Sequence, residues 1–211
     1  MAQIPKDIKL IQYNLPERNY YREKTNKTQI VWHHTGSNGV ATSSIDWWAN
    51  RLGGNGTIGA CIVIDRTGVV YQAFSSAYWA NSIGLGKKEI EKRIIAIELS
   101  SWGGLRFRNG SWRSYAGTKV SESDIVFYDK AFRGYTAFQK YSDAQIEAAV
   151  AMTKYFSEKY EIPITFEYDK FFKYSKVAVG GESGLFSHVS YRKDKNDCHP
   201  QPSLVDALKQ M

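Results

Sequence analysis

The sequence predicts a single α/β domain with a central mixed β-sheet flanked by α-helices. Short β-rich runs alternate with helical patterns along the chain, as they do when helices cover a sheet. Residues 93–100 (Arg-Ile-Ile-Ala-Ile-Glu-Leu-Ser) are apolar almost throughout, the pattern of a strand buried on both faces. The chain has 211 residues, enough for one well-buried domain and short for two.

Taken in order, residues 29–33 (Gln-Ile-Val-Trp-His) read as a strand that delivers a pair of histidines to its end. Residues 43–52 read as a short helix, opened by polar Thr42 and Ser43 and stopped by Gly53-Gly54. Residues 58–65 and 69–74 are two β-rich runs joined around Arg66-Thr67-Gly68, a hairpin signal. The apolar strand 93–100 follows. Residues 101–141 form an elaborated insertion, in which Asn109-Gly110 is a good two-residue hairpin turn. Ser142-x-x-Gln145 is a capping box that opens a helix over 143–160. Ile146, Ala149, Val150, Thr153, Phe156 and Tyr160 recur at three- and four-residue steps, giving that helix one buried stripe. Residues 164–183 are aromatic and glycine-containing and give no clear element. Residues 184–189 read as a last strand ending near His188, and Pro202–Lys209 as a closing helix with proline at its start. One domain over residues 1–211 is expected, with a core of about 28–205.

Composition narrows the function classes. Hydrophobic residues make up 43% and charged residues 23%, a globular balance. The 28 Lys and Arg exceed the 21 Asp and Glu by seven, and a basic surface attracts polyanions. These cations are scattered, without the aromatic-interleaved basic stripe of a nucleic-acid module, so no nucleic-acid partner is expected. No run approaches the roughly 18 apolar residues of a membrane span, so no membrane insertion is expected. The N-terminus lacks the apolar stretch of a signal peptide, which implies synthesis in the cytoplasm and release by another agent if the target lies outside. Two cysteines, Cys61 and Cys198, do not make a disulfide framework. A monomer is expected.

The four histidines, His33, His34, His188 and His199, fall in two short segments after predicted strands, Val-Trp-His-His-Thr-Gly (31–36) and Ser-His-Val-Ser-Tyr-Arg-Lys-Asp-Lys-Asn-Asp-Cys-His-Pro (187–200). Neutral imidazoles and a thiolate are what Zn²⁺ prefers, and three protein ligands with one open position make a catalytic site. Packed histidines beside a buried thiol would give the same residue types. A carboxylate in the apolar strand, Glu98, is either held in a structural ion pair or functional, because an unpaired buried charge is costly.

The order of these motifs resembles the type 2 N-acetylmuramoyl-L-alanine amidases. His-His-Thr-Gly comes first, then an aromatic-bearing helix and Ala60-Cys-Ile-Val-Ile-Asp-Arg-Thr-Gly68. Ile97-Glu98-Leu99 and His188-x9-Cys198-x-Pro complete the series. The family includes phage endolysins, cytoplasmic wall-recycling amidases and animal peptidoglycan recognition proteins, and the likeness spans residues 28–205. The insertion and the Asp-Cys-His-Pro-Gln-Pro ending look closest to phage or prophage amidases. The resemblance implies bacterial peptidoglycan as substrate, cleavage between N-acetylmuramic acid and L-alanine, and Zn²⁺ held by His33, His188 and Cys198, the last position being Cys or Asp across the family. It implies Glu98 as the catalytic glutamate.

Two departures bear on mechanism. Ala60 stands where some members carry a catalytic tyrosine, which leaves the proton transfer to Glu98. The family often places a lysine two positions before the third ligand, which here is Asn196, with Lys195 one step earlier; either would stabilise the oxyanion. His34 is assigned a supporting role, near substrate at most, and His199 a structural one. Cys61 reads as a small buried hydrophobe. Of the adjacent Trp47 and Trp48 one is core and the other faces a sugar groove, with Trp48 the assigned substrate contact, and Trp79 is a second aromatic placed in the cleft. A binding-only module and a Cys–His hydrolase built on Cys198 are the rival functions.

Overall fold

The computed structural model describes residues 3–6, 8–37 and 39–211. In chain order the first half contains β1 (Leu10–Gln12), β2 (Gln29–His34), α1 (Ala41–Asn50), β3 (Ile62–Ile64), β4 (Val70–Gln72), α2 (Lys88–Glu91) and β5 (Ile94–Leu99). The insertion supplies β6 (Arg106–Arg108), β7 (Ser111–Arg113), β8 (Ile125–Phe132) and β9 (Tyr135–Gln139). There follow α3 (Asp143–Tyr160), α4 (Tyr168–Phe172), α5 (Lys176–Gly180), β10 (Gly184–Ser187), α6 (His188–Tyr191) and α7 (Pro202–Lys209).

Six strands form one mixed sheet in the order β1-β4-β3-β5-β2-β10. Every pairing is parallel except β3 with β4, the hairpin read from Arg66-Thr67-Gly68. β2 and β5 lie inside the sheet, and Ile30, Val31, Trp32, Ile95, Ile97 and Leu99 are fully buried. Side chains alternate between the faces of a strand. On β2, Trp32 points toward α3, where its Nε1 donates to the Thr153 hydroxyl at 2.9 Å.

α3 begins where the capping box placed it. Ser142 Oγ accepts from the Gln145 backbone at 3.1 Å, and Gln145 Oε1 accepts from the Ser142 backbone at 3.1 Å. The Gln145 amide also donates to the carbonyls of Ile64 and Ser100, which ties the helix start to the ends of β3 and β5. Ile146, Ala149, Thr153 and Phe156 are buried as the periodicity requires, whereas Val150 and Tyr160 are only half-buried at the edge of the stripe.

The structure differs from expectation at several elements. α1 starts two residues earlier than the polar signal suggested, with no side-chain cap, and the chain leaves it through Leu52 and Gly53 at positive φ. β1 adds an edge strand beside β4 that the sequence pattern did not announce. Residues 164–183, unassigned from pattern, form the one-turn helices α4 and α5. The last strand stops at Ser187, because Ser187 and Ser190 form a reciprocal capping box that turns the chain into α6. His188 therefore opens a helix rather than closing a strand. The insertion is two hairpins, β6–β7 turning at Asn109-Gly110 as expected and β8–β9 turning at Arg133-Gly134.

Replacing Ser142 with Ala should lower stability by about 1 kcal/mol, the usual contribution of an N-cap. Chemical denaturation checks this, and an unchanged midpoint would contradict the capping role.

Candidate functional site

Register places the site. In the parallel β10–β2–β5 block, Ser187 pairs with Trp32 and His33 pairs with Glu98. His188, one residue past Ser187, therefore stands level with His33 and Glu98 at the carboxyl ends of three adjacent strands. Such ends are where open α/β sheets bind their ligands. His33 and Glu98 share the face opposite α3, while His34, next on β2, turns to the α3 side.

Three donor atoms converge here. His33 Nδ1 lies 3.1 Å from His188 Nδ1 and 3.4 Å from Asp197 Oδ2, and His188 Nδ1 lies 2.9 Å from Asp197 Oδ2. All three residues are buried. A tetrahedral ion with bonds of about 2.0–2.1 Å holds its donors roughly 3.3 Å apart, so the triangle suits one metal ion. Tautomer chemistry agrees. His188 Nε2 faces the Ile83 carbonyl at 3.0 Å and must donate its proton there, which leaves the Nδ1 lone pair toward the centre. Burial alone would raise the Asp197 carboxyl, but the imidazoles of His188 and His33, with His34 beyond, hold it well below the usual carboxylate range. Among the described residues, these three form the group of side chains placed to hold a metal ion.

At the third position the structure brings forward a different side chain from the one the resemblance implied. Asp197, not Cys198, meets the two histidines. Neighbouring side chains diverge, and the Cys198 thiol is fully buried beside the Tyr141 hydroxyl. Burial, then the Asp197 carboxylate, push that thiol well above its ordinary range. A thiol held neutral is not a ready nucleophile, which weighs against the Cys–His hydrolase. In the sequence Lys195 stands two positions before Asp197, whereas counting back two from Cys198 reaches Asn196.

Glu98 carries the second chemical group. Burial raises its carboxyl to about 7, opposed by His33, reinforced by Asp197 and opposed again by Lys195. Its Oε2 is buried without a hydrogen-bond partner, so the structural ion pair weighed against function is not what holds it. Lys195 and Asn196 diverge: the Lys195 charge acts on Glu98, whereas the Asn196 side chain acts on the His34 imidazole.

The remaining assigned residues divide between support and packing. His34 Nδ1 meets the Tyr141 hydroxyl at 2.9 Å, and a Cβ at Gly103 would collide with its ring. His199 is structural, stacked between Phe138 and Tyr141 with centroid distances of 4.4 and 4.5 Å. Its Nε2 donates to the Gln139 carbonyl and its Nδ1 accepts from the Tyr128 hydroxyl. Cys61 is buried as expected, with its thiol pushed up to about 12 by desolvation. Trp79 is corrected from cleft to core. It is 3% exposed, stacked on Tyr21 at 3.9 Å, with its Nε1 bound to Glu23. Of the tryptophan pair, Trp48 is buried and Trp47 exposed, yet both line a cavity of about 230 Å³ beside Thr35 and Gly36.

Sequence reasoning passed over Glu91. Its buried carboxylate accepts from the backbones of Ser82, Ile83 and Gly84 and from the Ser82 hydroxyl. That clamp fixes the loop whose Ile83 carbonyl orients His188.

A family model described as N-acetylmuramoyl-L-alanine amidase matches residues 23–200. Comparison with curated proteins found no match. Among solved structures, the chain is similar to the endolysin N-acetylmuramoyl-L-alanine amidase LysCS from Clostridium intestinale URNW, at 16% identity and TM-score 0.58, covering 100% of this chain and 97% of that one. PlyL is similar at 13% identity and TM-score 0.55, covering 96% and 97%. A mutant endolysin from Bacillus subtilis matches at 13% identity and TM-score 0.55, with the same coverage of 96% and 97%. These likenesses establish the mixed-sheet fold.

Asp197→Ala should lose bound metal, whereas Cys198→Ser should retain about one equivalent of it. Elemental analysis of the two purified variants decides, and retention in the first with loss in the second would reverse the assignment.

Proposed function

The chain belongs to the N-acetylmuramoyl-L-alanine amidase family, and from that premise we propose that it is a zinc amidase cutting peptidoglycan between N-acetylmuramic acid and L-alanine. The observation that carries this reading is the buried triangle of His33 Nδ1, His188 Nδ1 and Asp197 Oδ2 beside the orphaned carboxylate of Glu98. Two nitrogens and one oxygen suit Zn²⁺ in a catalytic setting, with a position left for substrate. Zinc held there would supply Lewis acidity toward the lactyl carbonyl and lower the pKa of a water to about 7.

The chain's own groups do the rest. Glu98, poised by burial, takes a proton from the attacking water and delivers it to the departing L-alanine nitrogen. Burial raises its carboxyl above the ordinary glutamate range, which suits both halves of that transfer, since the group must be a base first and an acid second. Lys195 donates to the oxyanion of the tetrahedral centre, a contribution of about 2.7–4 kcal/mol for one such donor. Asn196, engaged with His34, instead steadies that imidazole. The Ile83 carbonyl keeps His188 in the tautomer the site needs, and Glu91 keeps Ile83 in place.

A lytic role, as a phage or prophage enzyme acting as a monomer on the wall after release, is the biological setting we propose. The endolysins among the similar structures support it. Among the described residues no helix is long and apolar enough to cross a membrane.

Mass spectrometry of digested peptidoglycan should find new L-alanine amino termini, and a chelator should abolish them. Glycan-bond cleavage, or cleavage insensitive to chelation, would overturn the reading. Glu98→Gln should keep fold and metal while turnover falls by about 10²–10⁴-fold. The carboxylate is the active form, so kcat/KM should fall as pH drops through the Glu98 value. In metal-free protein that value is about 7, and a bound cation moves the limb lower by favouring the carboxylate. The limb should vanish in Glu98→Gln; a limb unchanged in that variant would remove Glu98 from the role.

A further inference from the structure

Arg192 joins two loops that the main chain leaves apart. One loop, residues 82–84, presents the Ile83 carbonyl to His188; the other, residues 192–197, leaves α6 and carries Lys195 and Asp197. Among the described residues no main-chain hydrogen bond crosses between them. Side chains make the crossing instead. Arg192 Nη1 donates to the carbonyls of Ile83 and Gly84, each at 3.3 Å. The rest of the guanidinium turns back on its own loop, where Nε and Nη2 donate to the two carboxylate oxygens of Asp194 at 3.0 and 2.7 Å. Gly84 gives this approach its room: its φ is +72°, and a Cβ there would stand 2.9 Å from Arg192 Nη1.

An ion pair as exposed as Arg192–Asp194 contributes little to stability by itself. Its position gives it a use. A carbonyl oxygen has two lone pairs, and Ile83 offers them to the His188 Nε2 proton and to Arg192. The carbonyl that orients His188 is thus itself held by a fixed guanidinium. Asp194 immediately precedes Lys195 and lies three positions before Asp197, so a grip on its carboxylate sets the path of the chain just before both groups. The opposite flank of this turn is tied to the insertion. Arg133 Nη1 donates to the Lys193 carbonyl at 2.9 Å, and Nη2 to the Val189 carbonyl at 3.5 Å. With that flank anchored, the bridge from Arg192 determines how closely the Asp197 loop approaches residues 82–84. Bonds directed to both loops from one plane need a guanidinium, whereas an ammonium is a single point with three donors.

We propose that Arg192, braced by Asp194, is a positioning residue: it fixes the spacing between the Ile83 carbonyl and the loop bearing Lys195 and Asp197, and so tunes how firmly His33, His188 and Asp197 hold a metal ion. This latch rests on the metal site of the amidase reading and adds to it a control of affinity from outside the ligand set.

Zinc affinity of the full chain, measured by competition with a chromophoric chelator, tests the latch without any substrate. Contacts behind metal ligands typically alter affinity about 10–100-fold, and Arg192→Ala should weaken zinc binding by about tenfold. Arg192→Lys should stay weakened, because charge alone does not span both loops. Adding Asp194→Ala to Arg192→Ala should cost no further affinity, since the two side chains act as one unit. Arg22→Ala is the control. It removes another exposed bidentate pair, with Glu17, and should leave zinc affinity unchanged. Circular dichroism melts of all variants should lie close to that of the unaltered chain, which separates positioning from loss of fold. Unchanged affinity in Arg192→Ala, full affinity in Arg192→Lys, or equal losses in Arg192→Ala and Arg22→Ala would overturn the proposal. The two readings fail separately. Wall cleavage by a chain whose zinc affinity ignores Arg192 removes the latch alone, and zinc binding that depends on Arg192 without wall cleavage removes the amidase and leaves the latch. An unaltered chain that binds no zinc removes both.

Discussion

The parallel register of β10, β2 and β5 is the constraint on which the site depends. A one-residue slip of β2 would turn His33 away from His188 and Glu98 and bring His34 into its place. The register is strongly specified because β2 and β5 are apolar on both faces and interior to the sheet, so any slip would also misplace Trp32 and its bond to Thr153. Core packing and catalytic geometry are thus one requirement in this fold.

Burial gives the aligned groups their chemistry. The same low-dielectric surroundings raise Glu98 toward neutrality and leave Asp197 ionised, because Asp197 has two imidazoles against it and Glu98 has only opposed, partly cancelling neighbours. Two carboxyl groups in one cluster are driven apart, one toward its protonated form and the other toward its ionised form. The outer contacts keep this arrangement from relaxing. Glu91 gathers three backbone amides, the loop presents Ile83, and Ile83 fixes the His188 ring. On the opposite side of β2, Tyr141, His34 and His199 form a polar cluster that supports the strand end without facing the three donors.

Much of this was legible in the sequence. His33, His188 and Glu98 stand out because a histidine at a strand end and an acid within an apolar strand break local patterns that have no structural use for them. The helix at 143–160 was legible from its cap and stripe, and the Asn109-Gly110 turn from its two residues. The sequence could not separate Asp197 from Cys198 as third donor, because they are adjacent and both are chemically competent; side-chain direction distinguishes them, and that is set by tertiary packing around Tyr141. The one local clue was the two-residue spacing from Lys195. Trp79 was misplaced for a similar reason, since an aromatic's burial depends on Tyr21, far away in sequence. Helices α4 and α5 are too short to show a period, and β1 is a three-residue edge strand, so neither carried a signal of its own.

X-ray absorption at the zinc edge of the metal-loaded protein probes the centre directly. Nitrogen and oxygen ligands at about 2.0–2.1 Å with no sulfur shell are the result expected for the proposed donors His33, His188 and Asp197. A sulfur scatterer at about 2.3 Å would place Cys198 on the metal and contradict the account.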